Sequence, residues 1–369
     1  MDDNIEKWWE DSPTEFRGDS EDVEDYYESG ELKEISSYKG GKRDGKCVQW
    51  YKNGQTLLEC EFLSGEINGL FILYSENGQK KETVLYSKGK PNGVCTQWYD
   101  NKRKSVECVF RDGKENGKCT IWDESGVKTS EGYYKDGLID GIWTYYYLNG
   151  NKESEGYEKQ KKNVKPGYDN WSREHGKWLK WYENGKLCTE FNYKNGEIEG
   201  PYKKWYKSGQ LEEEGSCSGE YSVNYSIPFG EVTDYFPFRV GKFSSWYENG
   251  QLREKGTYEQ RENIPTPPTT LFSDYEFIPV KKGKWTTWYE KGNKKSEGNY
   301  LGLDEYGKPI QGGKWTWWYE NGQTECIGNY DEQVRDGFST RHGKWTRWYE
   351  NGLKKFEGTY KNYQEHGKW

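Results

Sequence analysis

Apolar and polar residues alternate along this chain in short runs, and the runs break at turn residues on a fixed period. Each run closes on an aromatic pair, two polar residues and a glycine, most plainly as Trp-Tyr-Glu-Asn-Gly at Trp181–Gly185, Trp246–Gly250, Trp318–Gly322 and Trp348–Gly352. A near copy stands at Trp50–Gly54, weaker ones end at Gly30, Gly78, Gly126, Gly150, Gly209 and Gly292, and Lys102 takes the glycine's place in one. The twelve turn positions are separated by five steps of 24 residues, then by 35, 24, 41, 42, 30 and 30. Period-two alternation broken by Asn-Gly predicts β-hairpins. A period of this size predicts an array of small stacked units.

With the turn glycine as position zero, the hairpin chemistry is regular. Position −9 is glycine in eleven copies, −4 is aromatic in all twelve and tryptophan in nine, and −3 is tyrosine in ten. Position +6 is glycine in seven copies and +8 is Tyr or Phe in ten. A two-residue type I′ loop, with Asn and Gly both at positive φ, sets −3 opposite +2 and −7 opposite +6. One face then carries the −7 ring, the −3 tyrosine, the +2 leucines Leu187, Leu211 and Leu252, and the +8 aromatic. The −7 ring is expected to lie over the +6 glycine of its own hairpin. The other face carries the −4 tryptophans among Thr, Lys and Glu. An isolated hairpin is marginal in water, so neighbours must continue the sheet. At two strands per repeat, twelve copies predict an elongated body of about 100 Å.

The frame resembles MORN repeats, in the bacterial-type variant of YwqK-family antitoxin-like proteins. Gly343-Lys344-Trp345, Trp348–Gly352 and Gly358-Thr359-Tyr360 carry the likeness most clearly, and it extends from about residue 21 to the end. The resemblance implies a chain of antiparallel hairpins used chiefly as a binding scaffold, a phospholipid role in some members, and no catalytic residues.

Composition agrees with strands. The 369 residues include no alanine, 45 glycines, 19 tryptophans and 32 tyrosines, a poor mixture for helices. Hydrophobic content of 31% raises the question of disorder, but aromatic content of 17% supplies rings to bury. Residues 1–28 hold 12 acidic and 2 basic side chains, so most of the net charge of −8 sits there and the body is near neutral. No basic stripe marks a nucleic-acid partner. The start lacks the charged and apolar regions of a signal peptide, and no run approaches a membrane span, which reads as a cytoplasmic protein.

The domain reading is an acidic, disordered tail over 1–20, a regular array over 21–157, and a second array over 158–369 with insertions at 158–175, 216–240 and 259–282. The last array ends inside a thirteenth copy. The insertions carry Tyr225, Phe229, Tyr235 and Phe236, then Phe272, Tyr275 and Phe277. Long excursions from a repeat array often make its binding face, and otherwise cover a sheet edge.

Candidate chemistry is sparse. His175, His342 and His366 all occupy position −10, which reads as a turn role rather than acid–base catalysis, and no His/Cys ligand spacing occurs. Cys47 with Cys60, and Cys95 with Cys108, hold −7 and +6, so each pair is expected to face across its hairpin as reduced thiols. No cofactor, metal or catalytic residue is expected. The −4 row of Trp50, Trp98, Trp122, Trp181, Trp205, Trp246, Trp288, Trp318 and Trp348 is either a partner-binding platform or a structural ladder shielding the sheet. The functional reading is a non-enzymatic scaffold that binds an unidentified protein through this row and the aromatic insertions. A phospholipid surface and a toxin neutralised by an antitoxin are the alternatives, and self-association through a sheet edge is a further partner class.

Overall fold

A computed structural model describes residues 20–160, 173–227, 230–259, 279–304, 308–333, 338–361 and 364–366, with backbone alone at 20, at 173 and over 220–237. Every regular element among them is a strand; there are twenty-six strands and no helix. The chain divides into two compact units, 1–150 with 158–172, and 151–157 with 173–369. Within each unit, strands that follow one another in sequence pair antiparallel in an open sheet. The all-β hairpin array read from the repeat is the architecture found.

All twelve turns fall where the glycine frame put them. The N–H at position zero donates to the −3 carbonyl in every copy, from Gly30 to Tyr27 at 2.8 Å through to Gly352 to Tyr349 at 2.8 Å. The turn type differs from the expectation. Only the residue at zero has positive φ, as at Gly54 (81°) and Gly185 (79°), and the Tyr51 N–H donates to the Gln55 carbonyl. The loop is therefore three residues, a type I turn closed by a left-handed glycine. Asparagine at −1 favours it because its Oδ1 accepts the N–H of +1, as Asn53 does from Gln55 at 2.9 Å. Lys102 adopts the same conformation at a φ of 68° without the help of glycine.

The longer loop shifts the strand ends by one residue, and an extra residue at +3 shifts them back. Trp50 pairs with Thr56 while Gln49 pairs with Leu58, so Cys47 still meets Cys60. The −7 to +6 register therefore holds. The +2 leucines, however, move to the tryptophan face: Leu187 opposes Trp181, Leu211 opposes Trp205 and Leu252 opposes Trp246. True type I′ loops lie between hairpins instead. Ser64 and Gly65 have φ of 54° and 91°, Asp112 and Gly113 of 51° and 84°, and Asn195 and Gly196 of 57° and 87°.

Burial follows the alternation. The −7 residues Phe71, Trp143, Trp178, Tyr202, Phe243, Trp285, Trp315 and Trp345 are buried, as are most +8 aromatics, including Phe62, Tyr86, Tyr258 and Tyr360. The ring-over-glycine contact exists within a hairpin at Gly215, where a Cβ would meet Tyr202 at 3.2 Å, but wherever the ring is tryptophan it joins successive hairpins. A Cβ on Gly298 would meet the ring of Trp315 at 2.1 Å, one on Gly328 would meet Trp345 at 2.1 Å, and one on Gly256 would meet Trp285 at 2.2 Å. Gly132 stands under Trp143 and Gly156 under Trp178 in the same way. In each case the glycine belongs to the preceding hairpin. The indole N–H then donates to the carbonyl just past that glycine, Trp315 to Asn299 and Trp345 to Asn329, both at 3.1 Å.

The physical reason is that a +6 residue has neighbours on two strands, and antiparallel pairing brings opposed residues closer on one side than on the other. In the second unit the result is an edge-to-face chain running across the strands. Ring centroids are 5.2 Å apart for Phe243 and Tyr258, 5.0 Å for Tyr258 and Trp285, 5.0 Å for Tyr300 and Trp315, and 5.3 Å for Tyr330 and Trp345. In the first unit the same line is filled by Cys47, Cys60, Phe71, Val84, Cys95, Cys108 and Cys119.

Candidate interaction face

Each −4 aromatic is the last residue of its strand, for example Trp98 in Lys90–Trp98 and Trp318 in Pro309–Trp318. Alternation from the buried −7 position turns −4, −6 and −8 to the opposite side of the sheet. The nine tryptophans are all half-buried there, Trp50, Trp98 and Trp122 in the first unit and Trp181, Trp205, Trp246, Trp288, Trp318 and Trp348 in the second.

Two hydrogen-bond ladders fix the spacing of that row. The −3 tyrosine of one hairpin donates its hydroxyl to the −4 carbonyl of the next: Tyr27 to Trp50 at 2.7 Å, Tyr99 to Trp122 at 2.7 Å, Tyr247 to Trp288 at 2.9 Å and Tyr289 to Trp318 at 2.9 Å. The −1 asparagine donates Nδ2 to the −2 carbonyl of the next hairpin, Asn53 to Glu76 at 2.9 Å and Asn249 to Glu290 at 2.9 Å. Burial lifts the phenols of Tyr51, Tyr206 and Tyr289 above their ordinary range, which keeps them protonated as donors. Neither ladder follows from the hairpin alone. The sequence signal for both is the recurrence of tyrosine and asparagine at fixed positions where no strand packing requires them.

Charged side chains frame the rings. The +2 lysine of one hairpin lies over the −4 ring of the next: Lys104 over Trp122 at 5.9 Å, Lys128 over Tyr146 at 4.5 Å, Lys152 over Trp181 at 5.5 Å and Lys294 over Trp318 at 5.6 Å. The same lysine pairs with the +5 glutamate, which also takes the −8 lysine. Glu297 holds Lys294 at 2.8 Å and Lys284 at 3.0 Å, and Glu357 holds Lys354 at 2.8 Å and Lys344 at 2.8 Å. These lysines hold the Glu297 carboxyl at about 2. Burial works against ionisation of Glu131, yet Lys118, Lys128 and Tyr146 bring it to about 2 as well. The face is thus a row of rings set among charges of both signs, several of them paired.

The insertion candidates separate. Tyr225 pairs with Val232, Tyr235 with Ser222 and Phe236 with Tyr221, because 216–240 extends two strands into a long hairpin, Leu211–Ile227 against Gly230–Trp246. Phe229, Phe272, Tyr275 and Phe277 lie outside the described residues. Among the described residues, no group of three or more His, Cys, Asp or Glu is placed to hold a metal ion.

The sequence frame that carries these ladders matches one family. The MORN repeat variant matches ten segments, 22–39, 67–88, 115–136, 139–157, 174–195, 198–216, 239–260, 281–301, 311–332 and 341–368, together more than half of the chain. The chain belongs to the MORN-repeat proteins. No curated protein matches it. Solved structures that align with it include a chain of the TcdB2-TccC3-Cdc42 complex, at 10% identity and a TM-score of 0.14, over 92% of this chain and 22% of that one. A chain of the Photorhabdus luminescens Tc holotoxin pore aligns at 12% identity and a TM-score of 0.16, over 92% of this chain and 18% of that one. This chain spans about a fifth of the length of those chains.

Proposed function

We propose that this MORN-repeat chain is a non-enzymatic scaffold that binds another polypeptide along the tryptophan face. The observation that supports the reading is the division of labour between the two sheet faces. The −7 rings and most of the +8 rings are buried on one side, while the −4 rings are all half-exposed on the other at a spacing the tyrosine and asparagine ladders hold constant. Aromatic rings bordered by charges of both signs suit a polypeptide, whose side chains offer apolar and charged groups together. Lys118, Lys284 and Lys344 of this face are paired with Glu131, Glu297 and Glu357, which weakens the case for an anionic phospholipid surface, since that rewards unpaired basic clusters. A toxin neutralised by an antitoxin-like chain would be one such polypeptide.

The test compares the full chain with a Trp288→Ala, Trp318→Ala variant by affinity capture, alongside sedimentation with phosphatidylserine vesicles. The reading expects one protein captured by the full chain and lost with the variant at an unchanged circular dichroism spectrum, and no sedimentation. Vesicle binding abolished by the two substitutions would replace it with the lipid reading.

A further inference from the structure

The thiols of the first unit hold the repeat positions that rings and glycines hold in the second. Cys47 faces Cys60 and Cys95 faces Cys108, as the repeat register predicts. Cys108 has a second neighbour, because Cys119 on the following strand pairs with it from the other side. Cys108 and Cys119 form a disulfide, with Cα atoms 4.0 Å apart, so the expectation of reduced pairs fails at Cys108 and holds at Cys47, Cys60 and Cys95. Register within one hairpin could not find this bond, since Cys119 belongs to the next hairpin. Cys95 remains a free thiol. All three are buried on the same face.

We propose that Cys95, Cys108 and Cys119 form an internal thiol–disulfide exchange site, in which Cys108 is bonded alternately to Cys119 and to Cys95. The Cys95 thiolate attacks the Cys108 Sγ. The Cys95–Cys108 bond forms as the Cys108–Cys119 bond breaks, the electron pair leaves on the Cys119 sulfur, and that sulfur takes up the proton Cys95 gave up. Nothing is oxidised or reduced overall. A residue on the middle of three antiparallel strands has opposed neighbours at roughly 4.5 and 5.5 Å between Cα atoms. Both spacings lie close to or within the disulfide range of roughly 4.4–6.8 Å. Burial hinders external thiols, which leaves the neighbouring sulfur as the attacking group.

The exchange moves a covalent tie. With Cys119, the bond joins the hairpin turning at Lys102 to the one turning at Gly126; with Cys95, it lies inside the first of these. Glu82 acts as a brake, since the Cys95 thiol donates to its Oε1 at 3.4 Å. Burial, then that carboxylate, push the Cys95 thiol up to about 12, and Glu115 adds to the effect. The other groups in this setting are Tyr86, beside Glu82 on the neighbouring strand, and Cys108 itself. Below that value the thiolate fraction, and with it the exchange rate, rises about tenfold per pH unit.

Trypsin separates the three sulfurs onto three peptides, because Lys102, Arg103 and Lys104 lie between Cys95 and Cys108, and Arg111, Lys114 and Lys118 lie between Cys108 and Cys119. Full-length chain is held at about pH 7 or about pH 9, acid-quenched, alkylated, then digested without reductant. The proposal expects a Cys95–Cys108 linked peptide that accumulates faster at the higher pH and faster still in Glu82→Gln. Cys108→Ser should remove both links. Cys119→Ser under mild oxidant should give only Cys95–Cys108. A wild-type chain that shows Cys108–Cys119 alone at both pH values and in Glu82→Gln would overturn the proposal, as would a chain with no link.

Discussion

Where the next hairpin brings a tryptophan, glycine at +6 is there for its neighbour's sake. Trp178 is opposed in its own hairpin by Phe191, and Cys119 by Gly132, so neither pair fits a ring covering its own glycine. Across hairpins the match is consistent: Gly132, Gly156, Gly256, Gly298 and Gly328 each precede a tryptophan at −7 of the next copy. Gly298→Ala should therefore destabilise by about 1–3 kcal/mol through overpacking. Trp315→Leu should relieve it in a double-mutant cycle, whereas Trp285→Leu should not. Equal relief by both would return the ring to its own hairpin. A second residue-scale expectation concerns Glu297, whose folded value of about 2 lies below its ordinary 4.5. A depressed carboxyl contributes stability above 4.5 that is lost as pH falls toward 2. Acid titration of thermal stability should be shallower in Glu297→Gln across that interval, and an unchanged curve would remove the ion pairs with Lys294 and Lys284 from the account.

At the level of the hairpin, most of the design was legible. Turn positions, strand direction and the −7 to +6 register all follow from glycine spacing and alternation, which are local properties of the chain. Two features were not. Asn-Gly permits both a type I′ loop and a type I turn with a left-handed glycine, and spacing does not choose between them; Ser208-Gly209 and Lys291-Gly292 make the same turn without asparagine. The tyrosine ladder joins residues 23 to 41 positions apart, as in Tyr51 to Tyr74 and Tyr247 to Trp288, so no single repeat shows it. The tryptophan face was legible as a row, but its lysine and glutamate frame needed the stacking of hairpins. Tyr289→Phe should remove one bond to the Trp318 carbonyl and cost about 1 kcal/mol. Amide exchange should quicken around Trp318 and leave the turn at Gly54 untouched. The insertion 216–240 is an extension of two paired strands. Replacing 221–237 with a short turn should preserve the neighbouring hairpins, since loop length itself costs little. Collapse of their amide protection would show that the extension supports them.

On the scale of each unit, stability should be close to a sum over neighbours. Trp345→Ala should cost about 3–5 kcal/mol, as for other buried rings, and open the strands around Gly328 and Gly358 while the strands around Gly215 stay protected. A cooperative loss of protection throughout 173–366 would contradict that picture. The contacts between hairpins also share a sense. The −7 ring reaches back over the previous glycine, and the −3 hydroxyl and −1 amide reach forward to the next carbonyls. Like courses of roof tiles, each hairpin is sealed by the one laid after it. A chain leaving the ribosome from its N-terminus would carry one unsealed course at a time, so its exposed apolar surface at any moment during synthesis should stay near that of a single hairpin, however many repeats precede it.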